Sequence, residues 1–475
     1  MKSLQDSLLV AALLACGAQH ATAQDPTLAF ELVEATAAVT TESQVGSATP
    51  SLRERYFPTP ASGLTLAAGE LTIESLLEQF SAVTGETVVW SMDTEALIRM
   101  TKLPLRGELQ IAPEDVYSVV QDLLGASRFV ISSLRREEPR ILKVASLDSP
   151  ARASIRGGAL YLPFSDVSDF AQDSAMLFQA VVPMPHSNLR EFENSLRQLV
   201  VDPNLTQLVP FRELHQVVIT ASGRRLAYFV EVLQAIDDGV RRRAEGEAQL
   251  RSTPSRTGFR NRYFPAPDAA LTVGADVQSV AQLLEEFTAV TDEHVLWSLN
   301  TAALLQYPSN LGNGGDVRVA PDEVRSFVQS ALVSNRFVMT TLRRKAPRLS
   351  FVVSLDSPAR ATIRQDALFV PQAEVRPFGA DAATMITTVV SLEHVDSIGS
   401  ALRHLVVDPN TLQIVPLDTT GQVIVTGLGF EAVRTVELLE ALDMEHGLQS
   451  EARRAAEEAA KANEPAEAGD ASEAE

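Results

Sequence analysis

The feature that most constrains this chain is an internal duplication. RYFPTP at 55–60 recurs as RYFPAP at 262–267, and LRQLVVDPN at 196–204 recurs as LRHLVVDPN at 402–410. Across the matched segments the spacing stays between 206 and 208 residues. Such a constant spacing leaves room for few insertions, so we expect both copies to share one fold with slightly different loops.

Each copy begins with the pattern of a small α+β domain. A first helix is predicted where a hydroxyl residue, Thr72 or Ser279, stands as the N-cap, and Gln282 completes a capping box behind Ser279. A strand, a second helix that begins at Pro113 and stops at Gly125, and a hairpin are predicted to follow. The first helix is amphipathic, and its apolar stripe is Ile73, Leu76, Leu77, Phe80 and Val83 in copy one and Val280, Leu283, Leu284, Phe287 and Val290 in copy two.

The second domain of each copy is shorter and has the order strand, helix, two strands, helix. Its first strand is predicted at 177–182, and its first helix runs through 189–199. Its last strand, at 216–220 in copy one and 422–426 in copy two, is rich in β-branched residues. The final helix must pack on the sheet through an apolar stripe that comprises Leu226, Phe229, Val230, Leu233 and Ile236.

These segments resemble the N-terminal periplasmic domains of bacterial secretins, the outer-membrane channels of type II secretion, type III secretion and type IV pili. Through SLLEQFSAVTGETVVWS and QLLEEFTAVTDEHVLWS the first domain is similar to the secretin and TonB short N-terminal domain, called the N0-like domain below. Through VVDPN and then QVVITA or QVIVTG the second is similar to the secretin short domain, with its KH-like βαββα fold. In that family these domains stack into rings and contact inner-membrane or pseudopilus components, so the resemblance implies a docking or ring-forming role.

The duplication and the resemblance together predict an α+β chain with four small sheet-plus-helix domains. A secretin continues into a β-rich pore domain, and the acidic residues 447–475 do not resemble one, so we expect no channel from this chain alone. The predicted boundaries are a signal peptide at 1–23, a disordered segment at 24–52, the first N0-like domain at 53–148, a connector at 149–175, the first short domain at 176–240, a flexible linker at 241–259, the second N0-like domain at 260–355, a connector at 356–383, the second short domain at 384–446 and a tail at 447–475 that is disordered apart from a helical stretch around 450–461.

The charge of the chain argues against nucleic acid as a partner. The formal net charge is −21 and the sequence pI is near 4.8, so the field of the protein repels phosphate backbones and anionic lipid headgroups. KH domains clamp RNA with a GxxG loop, and the short domains lack that loop. No stretch outside the leader approaches the roughly 20 apolar residues of a membrane-spanning helix. We therefore expect protein partners and a periplasmic location.

The first residues have the pattern of an export signal. Lys2 precedes an apolar run at 8–15, and the small residues Ala21 and Ala23 have the spacing that signal peptidase prefers, with cleavage after Ala23. A second interpretation stays open, because the apolar run leads into Cys16 as in the lipobox of bacterial lipoproteins. Lipidation of Cys16 would add an anchor in the outer membrane.

Two pairs of residues at equivalent positions in the copies are candidates for chemistry. His186 and His394 follow the first strand of each short domain and suggest either a pH-sensitive contact or, as we favour, a structural residue at a helix start. Asp202 and Asp408 stand in Asp-Pro-Asn segments, which are typical of a turn between a helix and a strand. The favoured interpretation of both pairs is structural.

Three other features have functional and structural interpretations. Trp90 and Trp297 suit ligand stacking, but strand ends flanked by apolar residues favour core packing. GNGGD at 312–316 is interpreted as a turn rather than a calcium loop. Paired arginines fall in the hairpin turns, where a solvated turn is favoured over contact with an acidic partner, and they are Arg135 and Arg136 in copy one and Arg343 and Arg344 in copy two.

The sequence therefore predicts a protein that works through contacts rather than chemistry. No catalytic residue, cofactor site or metal site is predicted, and we expect the protein not to be an enzyme. The first functional hypothesis is an accessory or scaffold of a type II secretion or type IV pilus-like secretin system, with self-association as a possible mode. The alternative is a periplasmic adaptor that binds envelope glycan or a single protein partner and has no part in secretion.

Overall fold

The computed structural model describes residues 51–105, 107–135, 140–149, 155–246, 258–274, 277, 279–307, 316–395, 406, 408–417 and 420–462. Every described residue lies in one compact unit, Pro50–Glu475. Both copies of the repeat therefore belong to the same unit.

Helices occur at corresponding places in the two copies. Those of copy one are α1 (Leu52–Tyr56), α2 (Ile73–Thr84), α3 (Met92–Met100), α4 (Val116–Ala126), α5 (Leu189–Gln198) and α6 (Gly223–Ala244). Those of copy two are α7 (Phe259–Tyr263), α8 (Val280–Thr291), α9 (Leu299–Leu305), α10 (Val324–Ser334) and α11 (Gly429–Ala462).

The strands build an α+β fold with several small mixed sheets. Those of copy one are β1 (Leu64–Leu66), β2 (Gly69–Thr72), β3 (Thr87–Trp90), β4 (Lys102–Leu105), β5 (Leu109–Ile111), β6 (Phe129–Arg135), β7 (Ile141–Ser146), β8 (Leu160–Tyr161), β9 (Leu177–Pro183), β10 (Gln207–Phe211) and β11 (Gln216–Ser222). Those of copy two are β12 (Leu271–Val273), β13 (Glu293–Trp297), β14 (Val317–Val319), β15 (Phe337–Arg343), β16 (Arg348–Ser354), β17 (Leu368–Phe369), β18 (Met385–Ser391), β19 (Leu412–Leu417) and β20 (Gln422–Leu428).

The N0-like segment of each copy has a three-stranded sheet of the same topology. Its order is β3-β7-β6 in copy one and β13-β16-β15 in copy two. Strand β3 pairs in parallel with β7, as β13 does with β16, and the two strands of each hairpin are antiparallel. Two-stranded pairs, β1 with β5, β2 with β4 and β12 with β14, flank these sheets. The helices α2 and α8 bury the apolar stripes that their periodicity predicts.

The predicted starts of the first helices are confirmed. The Thr72 hydroxyl accepts a hydrogen bond from the backbone N–H of Ser75. Ser279 and Gln282 form the complete capping box, in which each side chain accepts from the backbone N–H of the other residue. Each cap satisfies donors that the first turn of a helix leaves free, and removing such a cap typically costs about 1 kcal/mol.

The predicted stop of the second helix at Gly125 is wrong. The helix continues through Ala126, and the residue with left-handed backbone is Arg128, with φ of 63°. Arg336 has the same conformation in copy two, with φ of 62°. Gly125 instead lies against the next segment, since a Cβ built there would stand 3.0 Å from the Ser174 hydroxyl. The glycine allows a close approach and does not end the helix.

The short segment of each copy forms a four-stranded sheet, with the order β10-β11-β9-β8 in copy one and β19-β20-β18-β17 in copy two. Copy one follows the predicted order strand, helix, two strands, helix from β9 to α6. In copy two, the residues between β18 and β19 that would form the corresponding first helix lie largely outside the described residues. The edge strands β8 and β17 come from the segments predicted as connectors, and each pairs in parallel with its neighbour.

An ion pair at the same place in each copy ties the segment before the N0-like sheet to the short domain. Arg53 of α1 pairs with the buried Asp173, and Arg260 of α7 pairs with the buried Asp381. The second pair is bidentate, with Arg260 Nε 2.6 Å from Asp381 Oδ2 and Nη2 2.9 Å from Oδ1. Bidentate geometry fixes orientation as well as distance.

Candidate interaction surfaces

The aspartates of the Asp-Pro-Asn segments are turn residues. Asp202 Oδ1 accepts from the backbone N–H of Asn204 at 2.9 Å and from its Nδ2 at 3.1 Å. Asp408 Oδ1 accepts from the same two donors of Asn410, both at 2.9 Å. This is the turn chemistry predicted from the sequence.

The histidines at equivalent positions in the two copies, His186 and His394, also form hydrogen bonds through the backbone. The backbone N–H of His186 donates to Asp237 Oδ1 at 3.0 Å, and that of His394 donates to Asp443 Oδ1 at 2.8 Å. Copy two adds a contact of the ring itself, since His394 Nδ1 lies 3.2 Å from Asp443 Oδ1. The structural interpretation is confirmed for the backbone of both residues.

The tryptophans pack against the apolar cores. Trp297 is buried among the residues between α8 and its sheet, and Trp90 is partly buried against the core of copy one. Core packing, the favoured prediction, is confirmed. Cys16, Ala23 and residues 312–315 of the glycine-rich segment lie outside the described residues, so their assignments stay predictions.

The hairpin arginine of copy two is not in a solvated turn, so the favoured prediction is wrong for Arg343. Its side chain is buried, and its Nη2 donates to Asp115 Oδ1 in copy one. Its Nη1 donates to the Ser118 hydroxyl at 2.5 Å. Both acceptors lie at the start of α4 in copy one. The hairpin arginine thus contacts an acidic residue of its own chain. This agrees with the alternative interpretation of the sequence, contact with an acidic partner.

The neighbouring arginine contacts its own copy and lies near the final helix of copy one. The guanidinium carbon of Arg344 lies 3.9 Å from the centre of the Tyr263 ring, in a cation–π contact within copy two, and its charge also interacts with Glu231 on α6. On the copy-one hairpin, the Arg135 side chain and all of Arg136 lie outside what the structure describes.

A second contact between the copies is made by the final helix of copy one. Helix α6 lies on the side of the β17-β18-β20-β19 sheet that faces away from α11. The Tyr228 hydroxyl donates to Thr387 Oγ1 at 3.2 Å, and Val232 is fully buried. A Cβ on Gly239 would stand 1.7 Å from Gln422 Nε2, so the glycine leaves room for that side chain against the helix.

Helix α5 extends this contact along the edge of the same sheet. The Ser195 hydroxyl donates to the Pro416 carbonyl at 3.2 Å, and Gln413 Nε2 donates to the Gln198 carbonyl at 3.0 Å. Apolar residues of copy two join the hydrophobic core of copy one, and they are Leu296, Leu342, Leu349, Val389, Val415, Leu417 and Ile424. The copies are therefore joined by one continuous core.

Two faces can be defined from these contacts. The receiving face of a copy is the outer side of two helices, the one that precedes the hairpin and the final one. In copy one these are α4 and α6. The docking face of a copy is the hairpin tip together with the open side of the four-stranded sheet, which in copy two are β15–β16 and β17-β18-β20-β19. Inside the chain, the docking face of copy two covers the receiving face of copy one.

A buried acid lies on the receiving face of copy one. Asp122 on α4 is fully buried, and burial raises its pKa to about 6. Arg224 Nη2 donates to its Oδ1 at 2.6 Å and the Ser174 hydroxyl at 2.9 Å, and these partners together with Arg343 act in the opposite direction. Because burial outweighs them, the carboxyl changes its charge near pH 6.

A narrow cleft lies where the copies meet. Arg225 is buried there, its Nη1 donates to Thr206 Oγ1 at 2.9 Å, and burial lowers its pKa. The carboxylates of Asp366 and Asp202 compensate part of that effect. The cleft is lined by Leu199, Val201, Arg225, Tyr228, Phe229, Arg364, Gln365, Gln413 and Thr426. Arg364, the second arginine of the lining, also has a lowered pKa through burial, which the charge of Asp408 opposes in part.

Within the described ranges, no cluster of three or more His, Cys, Asp or Glu side chains is placed to hold a metal ion. Nor is any helix among them sufficiently long and apolar to span a membrane.

Sequence reasoning missed the contact between the copies. Strand β20 is buried along its whole length and β18 along all of it but Ser391, whereas β9 has the exposed Gln179 on its open side. The strand sequences do not mark this difference, because β18 contains Thr387 and Thr388 and is no more apolar than β9. The cover on the second face of the copy-two sheet is a tertiary contact.

No protein-family model matches the sequence, and no curated protein matches it. Among solved structures, the chain is similar to the N-terminal domain of the secretin XcpQ from Pseudomonas aeruginosa, at 10% identity over 80% of this chain and 100% of that one, with a TM-score of 0.16. It is also similar to the Klebsiella pneumoniae type II secretion system outer membrane complex of PulD, PulS and the PulC HR domain, at 14% identity over 81% of this chain and 50% of that one, with a TM-score of 0.28.

A third similar structure is the GspC–GspD complex from the type II secretion system of enterotoxigenic Escherichia coli. Its identity is 15% over 37% of this chain and 99% of that one, with a TM-score of 0.16. The chain thus has structural similarity to secretin N-terminal domains over much of its length, at low identity.

Proposed function

We propose that this chain is a non-enzymatic periplasmic interaction protein, an accessory or scaffold of a type II secretion or type IV pilus-like secretin system. The observation that carries the proposal is the contact between the copies. There, domains of this type recognise one another through an arginine buried against Asp115 and Ser118 and through a helix seated on an open sheet face. Surfaces that dock so closely within one chain are suited to docking between chains.

The titratable groups at the equivalent positions support a structural rather than a catalytic use. Asp202 and Asp408 accept hydrogen bonds from their own turns, and the backbone N–H groups of His186 and His394 donate to carboxylates of the final helices. These contacts hold the elements of each copy together. They leave the outer faces of the sheets and helices as the surfaces with which a partner can make contact.

The link to secretins rests on the sequence motifs. The N0-like segments and the VVDPN and QVVITA segments occur in the order of secretin domains, and they do so twice. The predicted export signal with cleavage after Ala23 agrees with a periplasmic location. A protein with these domains is suited to bind the periplasmic part of a secretin or the components that such a part contacts.

The test is direct binding with the full mature chain. Purified periplasmic domains of the secretin from the same cell, and of its inner-membrane partner, are titrated against the immobilised chain, with an unrelated periplasmic protein of similar charge as the control. The proposal expects saturable binding to one of the secretion components and none to the control. Absence of binding at concentrations of about 100 μM, together with retention of the chain on purified peptidoglycan, would overturn it in favour of a glycan-binding adaptor.

A further inference from the structure

The contact between the copies joins two different faces, so the chain has one copy of each face left over. Copy two uses its docking face, and copy one uses its receiving face. The docking face of copy one is formed by the described parts of strands β6 and β7 and by the open side of the β8-β9-β11-β10 sheet, and these described residues are not covered in the same way. Neither is the receiving face of copy two, formed by α10 and α11.

Equivalent residues show how different the two docking faces are. Leu342 on the copy-two hairpin is 5% exposed, whereas Leu134, its equivalent on the copy-one hairpin, is 59% exposed. Leu417 at the end of β19 is 1% exposed, whereas its equivalent Phe211 at the end of β10 is 46% exposed. The docking face of copy one therefore presents large apolar side chains to solvent at the positions that are buried in copy two.

The receiving faces show the same contrast in reverse. Val232 on α6 is 0% exposed, and its equivalent Leu438 on α11 is 40% exposed. On the second helix, residues that are buried in copy one have counterparts in copy two that are exposed or only partly buried. The pairs are Ser118 with Ser326, Val119 with Phe327, and Asp122 with Ser330.

The charge pattern of the contact is also repeated. Asp115, which accepts from Arg343, has its equivalent in Glu323, and the side chain of Glu323 is exposed. Arg343 has its equivalent in Arg135. A copy-one hairpin thus carries an arginine at the position of the bridging one, and a copy-two helix α10 carries a carboxylate at the position of its acceptor.

We propose that a second copy of this chain binds to the first through these two faces, with the docking face of copy one of one chain on the receiving face of copy two of the next. Because the two faces differ, the contact is head-to-tail, and each added chain presents the same free faces again. The series repeats between chains the contact that joins the copies within a chain. This self-association does not depend on whether the chain serves a secretin.

One difference makes the contact between chains weaker than the contact within a chain. Glu445 on α11 stands at the position of Gly239, which admits the side chain of Gln422. The equivalent Gln216 of an incoming chain has less room and must turn aside. We therefore expect association in a concentration-dependent manner rather than a permanent oligomer.

The test uses two full-length mature chains, each blocked on one face, in sedimentation velocity. Leu134→Asp blocks the docking face of copy one, and Leu438→Asp blocks the receiving face of copy two. Both side chains are exposed, so the fold should tolerate the changes. The control is Met92→Asp, because Met92 is 88% exposed and lies on α3, outside both faces.

The wild type and Met92→Asp should form species larger than dimers as the concentration rises to about 100 μM. Leu134→Asp alone and Leu438→Asp alone should each lose at least about ten-fold in association and stay monomeric. An equimolar mixture of the two should form dimers and nothing larger, since each chain keeps one working face. Dimers formed by either variant alone, a mixture that stays monomeric, or a monomeric wild type would overturn the proposal.

Discussion

At the scale of single residues, the contact between the copies depends on a few charged side chains that are buried between helices and strands. Arg343 is 1% exposed, and Asp115, its acceptor, is 25% exposed at the side chain. Removing one member of a buried pair leaves the other without its partner, and this costs more than an exposed ion pair contributes. Burial of Asp122 has a different consequence, because its folded pKa lies above its unfolded value.

Substitution of the bridging arginine should destabilise the whole chain. We expect Arg343→Met to lower the free energy of unfolding by about 2 kcal/mol, since Asp115 keeps some access to water. Arg344→Met is the matched control, because this arginine stacks on the Tyr263 ring and only its charge acts on Glu231 of copy one, so its loss should cost less than about 1 kcal/mol. Urea unfolding followed by circular dichroism measures both. Equal effects of the two substitutions would contradict the role given to Arg343.

The buried carboxyl predicts a pH dependence of stability. Because burial raises the pKa of Asp122 to about 6, above the ordinary value of an aspartate, its stabilising contribution is fully present at low pH and is lost as the pH rises through about 6. The loss amounts to roughly 3 kcal/mol at most. Asp122→Asn removes this dependence, so the difference in unfolding free energy between wild type and variant should move in favour of the variant from pH 4 to pH 7. A difference that stays constant with pH would contradict the assignment.

At the scale of elements, local patterns predicted what local forces decide. Thr72 and Ser279 were identified as caps from neighbouring residues alone, and so were the stripes of the first helices. The stop at Gly125 was mispredicted because its close approach to Ser174 is a tertiary contact. The partner of Arg343 escaped prediction because it lies in the other copy, far away along the chain, where no periodicity points to it. Two-residue strands such as β8 are too short to leave a pattern.

Helix α6 is the element that the copies share, so equivalent substitutions on the two final helices should have unequal effects. Val232→Asp places an unpaired charge between α6 and the copy-two sheet, and we expect it to lower the free energy of unfolding by at least about 3 kcal/mol. Leu438→Asp, at the equivalent place on α11, should cost less than about 1 kcal/mol at concentrations where the chain is monomeric. Thermal and urea unfolding of the two variants compare them. A Val232→Asp variant as stable as Leu438→Asp would contradict the packing of α6 on the copy-two sheet.

At the scale of the whole molecule, the duplication explains the docking, because it places two complementary faces in one chain. The sequence predicts two copies of a sheet-and-helix pair, and the structure joins them through one continuous core. Because the faces that meet are different, the joined pair keeps one unused face of each kind. The same physical property, recognition between these small domains, underlies both the proposed binding of secretion components and the proposed head-to-tail association.

The central claim, that the copies are held together as one cooperative body, can be measured directly, because the chain has one tryptophan in each copy. Trp90→Phe and Trp297→Phe leave a single fluorescent reporter in copy two and copy one respectively. The stability of each variant is first measured by circular dichroism, so that the effect of the tryptophan substitution itself can be subtracted. After that correction, the account predicts that the urea unfolding curves of the two variants coincide in a single transition. It also predicts that Arg343→Met shifts both curves together. Two separate transitions, of which Arg343→Met shifts neither, would contradict it.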